Sequence, residues 1–278
     1  MSDLAYERKE VILRVADLSL AINGRKVLRD INFEVKDIVR PGCTQGQVLA
    51  LLGPSGIGKT QLLRMLAGLQ RPSTGTVTVT DKAIPVHPGM IGMVTQSYTL
   101  FGWRTVLGNL MTAARQAGLP TREAREKSLD LLRQFHLEPC RHLYPAQLSG
   151  GQRQRVAIAQ QVLSGGHYLL MDEPFSGLDM LEEENVCKLI VGVSCADDLN
   201  TIIVVTHDVR AAATVADTIL MLGQVRSADG KLLPGATICE KYDLIERNLA
   251  WHEQITTRPE FYDLMRELRA KFVSLAGP

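Results

Sequence analysis

Val48-Leu49-Ala50-Leu51-Leu52 runs directly into Gly53-Pro54-Ser55-Gly56-Ile57-Gly58-Lys59-Thr60, and residues 61–69 then carry apolar side chains at helical spacing. The five-residue run is apolar on both faces, which is the pattern of a strand buried inside a parallel sheet. The glycines allow the backbone to turn its N–H groups inward around an anion. A helix that opens at the end of the loop adds its N-terminal partial positive charge to the same place. Lys59 supplies a compact cation for terminal phosphates, and the Thr60 hydroxyl is a hard oxygen suited to Mg²⁺. Strand, loop and helix follow in the order that a phosphate-binding loop requires, which a chance glycine-rich turn has no reason to do.

Outward from this segment the same alternation recurs. Residues 90–94, 168–171 and 201–205 are short runs apolar on both faces. Residues 121–135 and 152–163 place apolar side chains three and four apart, as a one-sided helix does. Strands alternating with helices predict an α/β fold with a mostly parallel sheet. Residues 97–160 are nearly all helical in pattern and read as an inserted helical subdomain. Before the loop, residues 11–22 and 27–35 predict two strands joined by a tight turn at Asn23-Gly24. Residues 76–80 alternate cleanly as a strand with one wet face, and residues 36–45, with Pro41 and Gly42, read as a loop. After Gly223 the buried-strand pattern stops. The tail predicts a terminal helix with Pro259 in its first turn and Phe261, Leu264, Met265, Leu268 and Phe272 on one face.

The chain has 278 residues, of which 45% are hydrophobic and 22% charged, with a formal net charge of +1. That is enough to bury a real core, and it lacks the basic excess that a partner held by nucleic-acid phosphates would want. The five cysteines, Cys43, Cys140, Cys187, Cys195 and Cys239, form no Cys-x-x-Cys pair, which argues against a disulfide scaffold or a zinc ribbon and fits a reduced cytosolic setting. No apolar leader opens the chain, and no stretch is long and apolar enough to span a bilayer.

Asp172 ends the apolar run 168–171, so its carboxylate emerges at the C-terminal end of a strand, where open α/β sheets bind ligands. It suits Mg²⁺, and Glu173 follows it; a strand-end Asp can also serve only as a helix cap.

Leu148-Ser149-Gly150-Gly151-Gln152, followed by Arg153-Gln154-Arg155, resembles the signature sequence of ATP-binding-cassette (ABC) ATPases. Gln96 resembles that family's Q-loop glutamine, Ser176-Gly-Leu-Asp179 its D-loop, and His207 its switch histidine. With the phosphate loop and Asp172-Glu173, these motifs stand in the family's order over residues 11–223. The resemblance implies a P-loop NTPase (RecA-like) core, an N-terminal antiparallel β subdomain and the helical insertion at about 97–160. It sets residues 1–225 as the ATPase domain and 226–278 as a C-terminal extension ending in a helix.

The resemblance also implies roles. Residues 53–60 cradle the phosphates of ATP. Thr60, Gln96 and Asp172 arrange Mg²⁺. Glu173 is the general base, with Lys59, His207 and Gln96 as further catalytic residues. Ser149, Gly150, Gly151, Gln152 and Asp179 act across a dimer interface on the nucleotide held by the other subunit. A helix terminus at Ser149 has the free N–H groups such a role needs. Outside this context His207 would read as a satisfied surface histidine and Asp179 as a helix cap, and Arg153 and Arg155 read as a solvated or interface face. The implied partners are a second copy or a paralogous ATPase, integral-membrane permease subunits and, further out, a solute-binding protein, with no nucleic acid. The implied location is the cytoplasmic face of the cell membrane, held peripherally.

Residues 101–106 and Tyr144-Pro145 are similar to nitrate, sulfonate and taurine importer ATPases, although Gly102 stands where that pattern has Pro. Phe101 and Trp103 either line a socket for a permease helix or pack inside the helical subdomain. Ile22 occupies the position at which the family stacks an aromatic ring on adenine, residues 36–45 are longer than the family's loop, and Gln160 replaces a common Arg. A soluble, non-transport ABC ATPase is the alternative; a single P-loop and the lack of a long heptad segment disfavour its tandem and chromosome-maintenance forms. The segment 148–152 argues against a simple P-loop kinase.

Overall fold

A computed structural model describes residues 6–40, 46–80, 82–195, 201–250, 252 and 254–276. β1 (Glu7–Ile22) and β2 (Arg25–Val39) form a long antiparallel hairpin. Its turn holds Asn23 at φ 50° and Gly24 at φ 77°, the paired left-handed residues that match a two-residue turn to the twist of its strands. β3 (Gln47–Leu52) leads into α1 (Lys59–Leu66), and β4 (Thr74–Val79) and β5 (Ile84–Pro85) return to the first sheet. β6 (Gly92–Val94) precedes α2 (Val106–Gln116), α3 (Thr121–Gln134) and α4 (Gly150–Leu163). β7 (Tyr168–Asp172), α5 (Met180–Ser194), β8 (Thr201–Thr206), α6 (Val209–Val215) and β9 (Thr218–Gly223) continue the alternation. β10 (Thr237–Asp243) and α7 (Pro259–Ala276) follow.

One sheet runs β2-β1-β4-β5 and is antiparallel. The other runs β10-β9-β3-β8-β7-β6 and is parallel except at β10. The unbroken apolar runs have a direct cause: both faces of this sheet are covered. From β3, Leu49 and Leu51 pack toward α1 and the first sheet, while Ala50 and Leu52 pack toward α6 and α7. From β8, Ile203 and Val205 join the first of these clusters, and Ile202 and Val204 join a third with α2 and α4.

Several boundaries differ from the sequence reading. Residues 36–39, expected in a loop, continue β2, and Cys43 with the rest of 41–45 lies outside the described residues. The strand expected at 90–94 shortens to Gly92–Val94. Residues 97–104 hold no helix, so the helices of the insertion begin only at Val106. The tail holds a strand that its pattern hides. β10 pairs antiparallel with β9, carries Glu240 and Lys241 exposed, and shifts register between Ile238 and Glu240. A charged sheet edge of this kind blunts edge-to-edge pairing and erases the alternation that would reveal it. α7 buries Phe261, Leu264, Met265 and Leu268 as expected, with Phe272 partly buried beside them.

Candidate active site

Strand register gathers the loops. Leu52 lies beside Thr206, and Asp172 beside Val205, so Gly53, Glu173 and His207 leave adjacent parallel strands at their shared C-terminal end. Gln96 leaves β6 two residues past its end, on the far side of β7.

The turn 53–58 needs glycine for two different reasons. A Cβ on Gly53 would sit 2.6 Å from the Leu222 carbonyl oxygen. Gly58, the residue before α1, has φ 109° and would bring a Cβ to 3.0 Å from Val27, so both space and backbone exclude other residues. No side chain caps α1, which leaves its first N–H groups to a ligand. Lys59 is 5% exposed, and its ammonium donates to the carbonyls of Gly53 (2.8 Å) and Pro54 (3.0 Å). The same Nζ pairs with Glu173 Oε1 at 3.1 Å. Pro54, Ser55, Gly56 and Ile57 complete the turn, with Gly56 at φ 76°.

Glu173 sits at φ +50°, left-handed and costly for a residue with a side chain. Its backbone N–H donates to Val205 O at 2.8 Å. Its carboxylate spans two partners: Oε1 meets Lys59, and Oε2 meets His207 Nδ1 at 2.8 Å and the His207 backbone N–H at 3.2 Å. One carboxylate thus holds together a buried cation and a half-exposed imidazole.

Asp172 is buried and accepts from Thr60 Oγ1 at 3.1 Å. Burial pushes its carboxyl above the usual carboxylate range; the Thr60 hydrogen bond opposes this, the Glu173 charge adds to it, and Lys59 and Arg64 offset it. A dication beside Asp172 would favour its ionised form against that burial, and paired hard oxygens at a helix N-terminus suit Mg²⁺. Among the described residues no group of three or more His, Cys, Asp or Glu side chains could hold a metal alone. Mg²⁺ takes one or two protein oxygens and shares the rest with phosphates and water. Gln96 is exposed, and its Nε2 donates to Ser176 Oγ at 3.4 Å.

Ser149 caps α4. Its Oγ accepts from the Gln152 N–H at 3.2 Å, and Gln152 Oε1 accepts from the Ser149 N–H at 2.9 Å. The Gln152 side chain is therefore engaged in the cap, and its Nε2 reaches Cys140 Sγ at 3.3 Å. Gly150 and Gly151 form the first turn; a Cβ on Gly151 would lie 3.5 Å from Glu182. Among the described residues no hydrogen bond joins 149–152 to this chain's own residues 53–60. Asp179 caps α5, accepting from the Glu182 N–H at 2.8 Å. Arg155 donates to Phe135 O at 3.4 Å, whereas Arg153 is exposed.

Phe101 is half-buried, whereas Trp103 stands out into solvent. Phe101 and Trp103 have ring centroids 5.5 Å apart, and Trp103 is 76% exposed, so it does not pack inside the helical region. Buried Asn109 pins that turn, accepting from the Phe101 N–H at 2.7 Å and donating to its carbonyl at 3.2 Å.

The sequence profile of the family described as ABC transporter matches residues 37–176. The chain belongs to that family. An uncharacterised ABC transporter ATP-binding protein of Methanocaldococcus jannaschii is 36% identical over 220 residues, 78% of this chain and 79% of that one. The taurine import ATP-binding protein TauB of Yersinia pestis is 33% identical over 211 residues, 76% of this chain and 79% of its own. The spermidine/putrescine import ATP-binding protein PotA of Marinobacter nauticus is 34% identical over 77% of this chain, which spans 56% of that longer relative. Among solved structures, cbiO1 of Clostridium perfringens, described as part of an ABC transporter complex, superposes with a TM-score of 0.71 at 25% identity, covering 95% of this chain and 99% of that one. An ATP-binding cassette in a dimeric post-hydrolysis state with ADP and Pi has the same fold, with a TM-score of 0.67 at 24% identity. As a member of the ABC family this chain binds ATP, with Mg²⁺, and hydrolyses it.

Proposed function

We propose that the chain is the motor subunit of an ABC importer, completing two ATP sites in a dimer and driving a membrane permease. The observation that carries the reading is the Glu173 carboxylate held between Lys59 and His207, with the Thr60–Asp172 pair alongside. Phosphoryl transfer is mostly positioning plus charge stabilisation, and these groups supply both. Lys59 and the turn 53–60 hold the phosphates. Glu173 takes the proton of the attacking water, and His207 orients it. Thr60 and Asp172, with Gln96, hold Mg²⁺, which when bound neutralises charge on the phosphates. Ser149, Gly150 and Gly151 complete the site of the partner subunit, with Gln152 fixing their cap and Asp179 lying at the seam. In this reading residues 1–225 form the ATPase domain, with the helical subdomain at about 97–160, and 226–278 an extension that buttresses it through β10 and α7.

The importer reading is supported by relatives named for taurine, spermidine/putrescine and Fe³⁺ import. Solute choice then lies with the membrane subunits and a solute-binding protein. No helix among the described residues is long and apolar enough to cross a membrane. In this reading the subunit attaches peripherally at the cytoplasmic face, through the permease. Exposed Trp103 is the anchor proposed for the permease, as large aromatics are at interface centres. Tagged protein extracted from membranes in mild detergent should retain a membrane-spanning subunit, and Trp103→Ala should weaken that retention. Recovery without any membrane-spanning partner contradicts the transport role and favours a soluble ABC ATPase.

Ile22 ends β1 at the hairpin and is 39% exposed, so a side chain there is free to meet a base. Ile22→Tyr should tighten ATP binding by up to about 1–3 kcal/mol through stacking. An unchanged or weaker affinity in a titration places the adenine elsewhere.

A further inference from the structure

Gln154 lies one turn into α4 and is completely buried among the apolar residues of that helix, although Arg153 beside it is exposed. Its Nε2 donates to the Pro174 carbonyl at 2.6 Å. Because that partner is an acceptor only, the amide must face it with its NH₂ group, which settles the orientation of the side chain. Its Oε1 then has no hydrogen-bond partner among the described residues. A buried amide that satisfies one end at the expense of the other is a costly way to fill a core position, where Leu or Met would pack.

The place it reaches explains the cost. Pro174 directly follows Glu173, whose backbone sits at φ +50°. Proline has no N–H, so at this position the backbone can be held only through its carbonyl. Backbone ties on the turn run from the Glu173 N–H to Val205 O at 2.8 Å and from the Ser176 N–H to Glu173 O at 3.2 Å. Gln154 therefore links the strained turn to the helix that Ser149 caps and Gly150 and Gly151 open.

We infer that Gln154 is a positioning residue that sets the Glu173 carboxylate through Pro174, so that its placement between Lys59 and His207 follows the seating of α4. The inference rests on Glu173 being the general base. In a dimer whose partner nucleotide engages Ser149 and the glycines, α4 carries that engagement to this subunit's own Glu173, a rigid element biased from both ends.

The test is a double-mutant cycle on the full chain. Gln154→Met keeps length and removes the donor. It should lower kcat by on the order of 10- to 100-fold, the cost of a slightly misplaced reacting group, and leave the ATP Kd within about twofold. Added to Glu173→Gln, where there is no base left to position, Gln154→Met should cost at most about twofold more, since coupled groups are not additive. If Gln154→Met does not yield folded protein, Gln154→Asn, an amide too short to reach Pro174, carries the same comparison. A kcat within twofold of the parent, a Kd that weakens in step with kcat, or an equal loss in both backgrounds overturns the inference. Glu173→Gln alone reports on the base itself: if it keeps its rate, the base assignment falls. If it loses its rate while Gln154→Met keeps its own, only the role of Gln154 falls.

Discussion

Glu173→Gln should lower kcat for ATP hydrolysis by about 10²–10⁴-fold, the usual loss when a general base is removed. ATP affinity should change little. The reason is in the geometry: Gln preserves the length and the acceptor that meets His207, and Lys59 keeps its two carbonyl partners at Gly53 and Pro54. What disappears is the capacity to take a proton. With binding intact and hydrolysis slow, the ATP-bound dimer should accumulate, so light scattering should show the mass double when ATP is added. A variant that turns over near the parent rate would mean that Glu173 only tethers Lys59 and His207.

Lys59→Ala should abolish measurable ATP binding. Lys59 is buried and makes three contacts, two to carbonyls and one to Glu173. Its loss removes a charge-assisted bond to phosphate and also leaves Glu173 without its cation at the base of the site. Breaking a buried charge pair from one side costs about 3–5 kcal/mol of fold stability, whereas each charge-assisted bond lost to phosphate costs about 1.5–3 kcal/mol, or about one to two orders of magnitude in affinity. Lys59→Arg separates charge from shape, because a planar fork cannot replace a compact ammonium in a pocket this closed. It too should bind ATP weakly. Isothermal titration reads both variants, and retained affinity in Lys59→Ala would remove Lys59 from the phosphate site.

Sequence reading succeeds here where the backbone leaves little choice. Gly53 and Gly58 are dictated by a 2.6 Å approach to Leu222 O and by φ 109°, and the strands β3, β7 and β8 by burial on both faces. Asp172 is legible because it ends such a strand, whereas His207, one residue past β8, is singled out only by its resemblance to the switch histidine. The reading fails where tertiary contact alone decides. β10 is an edge strand whose Glu240 and Lys241 look like loop, and it becomes a strand only beside β9. Gln154 sits between two arginines in one polar run, and nothing local marks it as the residue that turns inward to Pro174. Trp103 needs its surroundings before exposure can be told from packing. The link between Glu173 and Lys59 spans residues far apart in sequence and follows only from strand order.

The dimeric site is tested most directly by an experimental structure of Glu173→Gln with ATP and Mg²⁺. The expected result has the terminal phosphate held by Lys59 of one subunit and by the N–H groups of the turn Ser149, Gly150 and Gly151 of the partner subunit. A nucleotide bound at Lys59 with the partner's Ser149 turned away, or a bound chain that remains a monomer, contradicts it.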